Sequence, residues 1–346
     1  MANNTLAGNR RRQIPRQTGR TTSLLDAIEG TLADFLAAQI AALDATDPAL
    51  GCLARTTRDL VLAGGKRLRP TFAYWGWRAV SDDPVEPILP ALAALELMHT
   101  FALVHDDVMD ESATRRGRPT AHRIFARQHG DRFGESAAIL VGDLCLVWAD
   151  QLLARAPMPT ATLFAARARY DRMRVEAVAG QYLDVLGDSD PGQWSVDRAL
   201  LVARLKTASY TVQRPLQYGL VLAGPAAPPA IDDAFEQYGA LVGEAFQLRD
   251  DLLGVFGDPA VTGKPAGDDL RSRKPTTLLL LARQLAPGAT CADAEAIAAT
   301  GAPERVEAMI RERVASAIAV LAAAPIAAEA RAALIELAIR ATQRPA

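Results

Sequence analysis

Aspartates of this chain recur as adjacent pairs, five in all, and adjacency alone implies no chemistry. Asp82-Asp83 precedes a proline in a turn. Asp232-Asp233 follows Pro228-Pro229 at a helix start, where carboxylates cap free N–H groups, and Asp268-Asp269 lies in a glycine-rich loop. The other two pairs sit inside ALELMHTFALVHDDVMD and GEAFQLRDDLLGVF, which read as helix interiors apolar enough to be buried. Burying ionised carboxylates is costly unless a cation compensates. On a helix, Asp106 and Asp110 fall about 40° apart on one face with Asp107 alongside, so the three can converge on one point. Oxygen-only clusters suit magnesium, which prefers a few carboxylates plus waters and substrate phosphates to a complete protein cage. Asp106, Asp107 and Asp110 facing Asp250 and Asp251 therefore suggest a polyphosphate held between two acidic helices, and the competing reading is a solvated face laced with salt bridges.

A diphosphate–magnesium cluster also needs cations on the oxygens that metals do not reach. Three groups offer them. GGKRLRP places Lys66, Arg67 and Arg69 after a flexible diglycine, RRGRPT puts Arg115 and Arg116 just beyond the first acidic helix, and Lys206 with Thr207 interrupts an otherwise apolar stretch. Singly, the first two read as surface charge near a turn and the third as a snorkelling lysine. Beside the carboxylates they read as one constellation.

These residues must be positioned by helices. From about Leu24 onward apolar side chains recur at three- and four-residue spacing, Ala, Leu, Glu and Arg fill most positions, and alternating β-branched runs are scarce. Breaks are expected at Asp82-Asp83-Pro84, Pro157 and Pro159, Asp188 to Gly192, Gly224 to Pro229 and Ala302-Pro303, and none has linker composition. The expectation is about a dozen helices, essentially no sheet, and one all-α domain over 24–346 after a disordered N-terminal arm over 1–23. With 346 residues, half of them apolar, the chain can bury a large core. Its net charge of -2 argues against nucleic acid or an anionic membrane surface as partner. Cys52, Cys145 and Cys291 lack metal or disulfide spacing, which points to a reducing cytoplasm. No uninterrupted apolar run reaches the ~18 residues of a membrane span, the nearest, Val314 to Ala328, being cut by Pro325.

In order, GGKRLRP, HDDVMD, RRGRPT, GDL (142–144), GQYLD (180–184), KT, FQLRDD and TGKPAGDDL (262–270) resemble the trans-isoprenyl diphosphate synthases, most closely geranylgeranyl diphosphate synthases of actinobacterial and archaeal type. The resemblance implies an all-α isoprenoid-synthase bundle around a central apolar cavity, commonly homodimeric. It implies that Asp106, Asp107, Asp110, Asp250 and Asp251 bind magnesium, about three ions per site. Lys66, Arg69, His99 and Arg116 match isopentenyl diphosphate contacts, with Arg67 beside them. Arg115, Lys206 and Lys264 match contacts to the allylic diphosphate, drawn from C5, C10 and C15 starters. Thr207 and Gln247 match residues lining the developing carbocation, and Asp184 and Lys274 match positions near the same cluster. The second motif departs from DDxxD, since Gly254 replaces its last aspartate.

The implied reaction is head-to-tail prenyl transfer without a protein nucleophile, and His105 and His122 then serve packing or hydrogen bonding. Product length depends on a floor below the first motif, here Phe101 and Ala102 with Met98 one turn up. One aromatic beside a small residue resembles the C20 pattern, with farnesyl diphosphate the alternative. A class I terpene cyclase has no use for GGKRLRP with RRGRPT, and a non-catalytic synthase subunit is the reading that Gly254 keeps open. A helical scaffold with incidental charges would leave five buried carboxylates unpaired.

Overall fold

The structure, a computed structural model, describes residues 18–190, 192, 194–225, 228–257, 274–288 and 291–343. Strong helix formers dominate the sequence, and 81% of the described residues are helical. In order come α1 (Thr18–Asp44), α2 (Pro48–Val61), α3 (Leu68–Arg78), α4 (Leu89–Met109), strands β1 (Thr114–Arg115) and β2 (Arg118–Pro119), α5 (Ala121–His129), α6 (Asp131–Ala154), α7 (Thr160–Ser189) and α8 (Val196–Val202). A π-helical segment (Ala203–Gln213) joins α8 to α9 (Arg214–Leu222), and α10 (Pro229–Phe256), α11 (Thr277–Leu285), α12 (Ala294–Ala298), α13 (Ala302–Ala323) and α14 (Ala328–Thr342) follow. Punctuation acts as its chemistry requires. Asp47 Oδ1 caps α2 by accepting from the Ala49 N–H at 2.7 Å with Pro48 in the first turn, and Asp293 caps α12 in the same way.

α4 lies at the centre. Its residues from Ala91 to Met98 are all buried, packed mainly against α6 and also against α1 and α3. A second cluster joins the C-terminal half of α10 to α11 and α13 through Leu248, Leu252, Leu278, Ala282, Val306 and Ile310. The all-α fold is as expected, and three details differ. Helix starts at Thr18, so residues 18–23 extend α1 instead of belonging to an arm, because lengthening a formed helix costs far less than starting one; residues 1–17 lie outside those described. A two-stranded ribbon, β1–β2, interrupts the helices. Two helices, Glu86–Met109 and Asp131–Ala154, are long and apolar enough to cross a membrane by length and composition, whereas Val314 to Ala328 is not among them. Their most apolar windows are 61% and 50% buried inside the protein, so their hydropathy is that of helices packed on several sides.

One charge that the resemblance placed near substrate is used by this core. Arg67, with φ 46 at the entry to α3, turns inward, and its Nη1 donates to Glu96 Oε2 of α4 at 2.6 Å. Its Nη2 donates to the Val61 carbonyl at 3.1 Å and lies 3.3 Å from Glu29 Oε1. Both members of the Arg67–Glu96 pair keep only 4% of their side-chain surface in solvent. Arg67 is therefore corrected from a diphosphate contact to the counter-charge of a buried glutamate. Glu96→Ala strands that guanidinium and is expected to lower unfolding free energy by about 3 kcal/mol in urea titrations. An apolar replacement of both partners is expected to cost less.

Candidate active site

The first acidic motif closes α4, with Asp110 at its C-cap. The ribbon that follows turns on Arg116 and Gly117, whose φ of 53 and 72 suit a two-residue turn between twisted strands. Arg115 thereby faces back to α4. Its Nε donates to Asp107 Oδ1 at 2.8 Å and its Nη2 to Asp106 Oδ2 at 3.0 Å. Lys206 Nζ reaches Asp106 Oδ1 at 2.9 Å and Asp184 Oδ2 of α7 at 2.5 Å, and Gln181 Nε2 donates to the same Asp106 oxygen at 3.2 Å. Lys274, just before α11, lies 3.1 Å from both oxygens of Asp110, 3.5 Å from Asp184 and 3.8 Å from Asp188.

Charge follows this geometry. Burial would raise the Asp106 carboxyl, but Lys206, Arg115 and Lys274 outweigh it and hold the group at about 2. Burial would likewise discharge Lys206, yet Asp106 and Asp184 push its ammonium above the ordinary lysine value. Lys274 is raised by Asp184 and Asp110 against the same burial penalty. Asp188 is raised, first by burial and then by Asp184 and Asp110, with Lys274 opposing.

Lys206 and its successor, Thr207, connect the two acidic helices. Thr207 Oγ1 donates to Gln247 Oε1 of α10 at 2.7 Å, and Gln247 Nε2 donates to Asp251 Oδ1 at 2.9 Å. The other Asp251 oxygen accepts the Thr277 N–H at 3.1 Å. Asp251 is only 4% exposed and ties α10 to α11, whereas Asp250 is half-buried. Asp258, Lys264 and the rest of TGKPAGDDL lie outside the described residues.

A second basic pocket stands behind the ribbon. Arg69 Nη2 donates to Thr211 Oγ1 at 2.8 Å and its guanidinium lies 4.0 Å from the centre of the Tyr210 ring. Arg116 Nη1 donates to the Gly64 carbonyl, and a Cβ on Gly65 would fall 2.8 Å from that nitrogen, so the diglycine is a seat for Arg116. Lys66 is exposed on the same loop. Burial and the charges of Arg69, Arg116 and Arg115 hold His99 well below the usual histidine range, so its ring is neutral. His99 Nδ1 and Arg69 Nε are buried without hydrogen-bond partners. Unsatisfied polar atoms among arginines are the form of a pocket shaped for an anion.

An apolar groove of about 680 Å³ opens beside α4 and is lined by Phe101, Leu146, Val175, Val178, Ala179, Tyr182 and Leu183. Phe101 alone of the three floor residues lines it. Met98 is fully buried in the main core and Ala102 packs half-buried against that core. His105 bonds the Ile139 carbonyl at 2.9 Å, a structural role, while both ring nitrogens of His122 are buried without partners.

The first motif offers carboxylate oxygens only, which fits magnesium. Among the described residues no three acidic, histidine or cysteine side chains are grouped closely enough to hold a metal ion, so Asp106, Asp107 and Asp110 do not converge on one point as their helical spacing suggested. Asp106, Asp110 and Asp250 are half-buried, whereas Asp107 and Asp251 are buried. Sequence reasoning missed Gln181 and Asp188, which lie within or just beyond the quoted GQYLD, and missed Tyr210 and Thr211 beside KT. Spacing of one helical turn from Asp184 was the available signal for Asp188.

The chain matches the family model for polyprenyl synthetase over residues 51–313. It resembles a crystal structure of geranylgeranyl pyrophosphate synthase from Corynebacterium glutamicum, complexed with isoprenyl diphosphate and magnesium, at 40% identity and a TM-score of 0.88, covering 93% of this chain and 99% of that one. Geranylfarnesyl diphosphate synthase of Aeropyrum pernix is 36% identical over 236 residues, 66% of this chain and 70% of that protein. (2E,6E)-farnesyl diphosphate synthase of Mycobacterium tuberculosis is 38% identical over 212 residues, and the aligned part is 61% of this chain and 55% of that protein. Two acidic helices joined through Lys206 and Thr207, an anion pocket behind them and these likenesses agree, and the chain belongs to the polyprenyl synthetase family.

Proposed function

We propose that the protein condenses isopentenyl diphosphate with allylic diphosphates in head-to-tail prenyl transfer. The single observation that carries this reading is the presence of two adjoining basic groups with different partners, one on the first acidic motif and one around His99. Arg115, Lys206 and Lys274 surround the first acidic motif, and Arg69, Arg116 and His99 form the second site. A terpene cyclase handles one diphosphate and leaves the second site without purpose. Asp106, Asp110 and Asp250 would hold Mg²⁺, whose role when bound is to draw negative charge onto the departing diphosphate. Lys206, Arg115 and Lys274 bind that diphosphate as charge-assisted donors and stabilise it as the allylic C–O bond ionises. Arg69, Arg116 and Lys66 orient isopentenyl diphosphate so that its double bond meets the allylic cation, while the Thr207 and Gln247 oxygens face that cation. The released diphosphate takes the proton that restores the double bond.

The aromatic Phe101 beside the small Ala102, five and four positions before Asp106, supports geranylgeranyl diphosphate as the main product. Farnesyl diphosphate is the second reading, because names of relatives run from farnesyl through geranylgeranyl to geranylfarnesyl products. Val147, Phe164, Val175, Val178 and Tyr182 on α6 and α7 are exposed apolar residues, which supports a homodimer that covers them. Cys52, Cys145 and Cys291 are unpaired, in keeping with a reducing cytoplasm.

Purified chain with magnesium, isopentenyl diphosphate and each of the C5, C10 and C15 starters is expected to form longer prenyl diphosphates, detected by mass spectrometry. Asp106→Ala and Asp250→Ala should each reduce kcat by at least ~100-fold, and parental rates in both would remove the acidic helices from the reaction. Phe101→Ala should lengthen the product ladder, and an unchanged ladder would discard it as the floor. Val178→Asp should shift the sedimentation coefficient from dimer to monomer.

A further inference from the structure

Ala203–Gln213 runs as a π-helix within a continuous helical stretch that enters from α8 and leaves into α9. Such turns are uncommon and short in proteins, so this length needs a cause. Pro215 supplies part of it, since it lacks an N–H and its ring crowds the carbonyl four residues back, that of Thr211. The rest is held from both sides by glycines. A Cβ on Gly180 of α7 would fall 2.3 Å from the Lys206 nitrogen and 2.6 Å from its Cα. From the opposite side, Cβ atoms on Gly243 and Gly239 of α10 would fall 2.2 Å from Ala208 Cβ and 2.3 Å from Gln213 Cα. One turn before Gly180, Glu176 accepts hydrogen bonds from Ser209 Oγ and from Arg214 Nε and Nη2, the last two at 2.8 and 2.7 Å. One turn after it, Asp184 meets Lys206 Nζ. Glu176, Gly180 and Asp184 thus form one stripe of α7 that touches the π segment at Ser209, the Lys206 backbone and the Lys206 ammonium.

We propose that Glu176 and Gly180 are positioning residues for prenyl transfer: they fix the register of the 203–213 segment and so aim Lys206 at Asp106 while Thr207 meets Gln247. This rests on the prenyl-transfer reading. Lys206 and Thr207 are adjacent yet must reach α4 and α10, on different sides of the site. Each residue of slippage in a helix rotates a side chain by about 100°, so one step of lost register carries Lys206 off its carboxylate. A methyl on Gly180 forces α7 and the Lys206 backbone apart, and loss of the Glu176 carboxylate frees Ser209 and Arg214 from α7.

The test uses the full chain with Gly180→Ala, Glu176→Ala, Glu176→Gln and the control Gly134→Ala, which places a methyl 2.3 Å from the His122 carbonyl oxygen, between α5 and α6 and away from the segment. Melting temperature, kcat and both KM values are measured for each. Gly180→Ala and Glu176→Ala should reduce kcat about 100-fold, as expected for displacement of a catalytic group by about 1 Å. Glu176→Gln, which keeps an acceptor for Ser209, should stay within about fivefold of the parent, and Gly134→Ala within about threefold at a similar loss of melting temperature. If Gly180→Ala fails to fold, the two Glu176 variants decide. Folded variants that retain kcat, or rates that fall with Gly134→Ala in step with melting temperature, overturn the proposal. Absence of turnover in the parent would instead overturn the prenyl-transfer reading. Amide hydrogen exchange across 203–213 then decides positioning, since faster exchange in Gly180→Ala and Glu176→Ala upholds the hold of α7 and unchanged exchange refutes it.

Discussion

Everything at this site depends on the Lys206 ammonium. Asp106, Asp107, Asp110, Asp184 and Asp188 gather where two helices meet, and their repulsion in partly dehydrated surroundings would drive α4 and α7 apart. Lys206 stands between Asp106 and Asp184, with Arg115 and Lys274 on either flank. Its backbone lies against Gly180 and its neighbour Thr207 leads to Gln247 and Asp251. Through these two residues the distance between the acidic helices becomes a property of one helical turn. On the prenyl-transfer reading the same ions can re-pair when substrate enters, carboxylates with metal and cations with phosphate oxygens, so local charge stays balanced throughout.

Regular helices provide the walls, while the chemistry is set where regularity fails. The π segment carries Lys206 and Thr207, the diglycine before α3 seats Arg116, and the ribbon after α4 supplies both arginines. Each irregularity has a local cause: Pro215 inside a helix, two glycines at positive φ, and a turn that needs left-handed backbone at Arg116 and Gly117. Such conformations persist only where surrounding packing over-determines them, and for the π segment α7 and α10 supply that packing.

Much of this was legible in the sequence, and what was missed has a common reason. Residue type and spacing identified the acidic pairs, the basic groups and the helical class, because buried charge and apolar periodicity leave compositional traces. They could not tell Arg67 from Arg69. The two are two positions apart and chemically identical, but one faces Glu96 in the core and the other faces Thr211, a difference set by the left-handed backbone at Arg67. The π segment escaped because widened turns keep much the same apolar pattern as α-helix. Gln181, Thr211 and Tyr210 escaped because their roles arise from residues far away in the chain, Asp106 and Arg69. Length and composition also understated α4 and α6 as apolar spans, since interruption by a few polar residues hid how continuous their buried faces are.

The ribbon between α4 and α5 acts as a ruler. Arg115 and Arg116 are neighbours with different partners, Arg115 on Asp106 and Asp107 and Arg116 on the Gly64 carbonyl, because strand pairing fixes Arg115 against Arg118 while the turn carries Arg116 onto the diglycine. Side chains on a strand alternate in direction, so adding or deleting one residue between Thr114 and Pro119 would exchange the two arginines' partners. This hairpin is therefore a stretch whose length is as constrained as the identity of its charged residues.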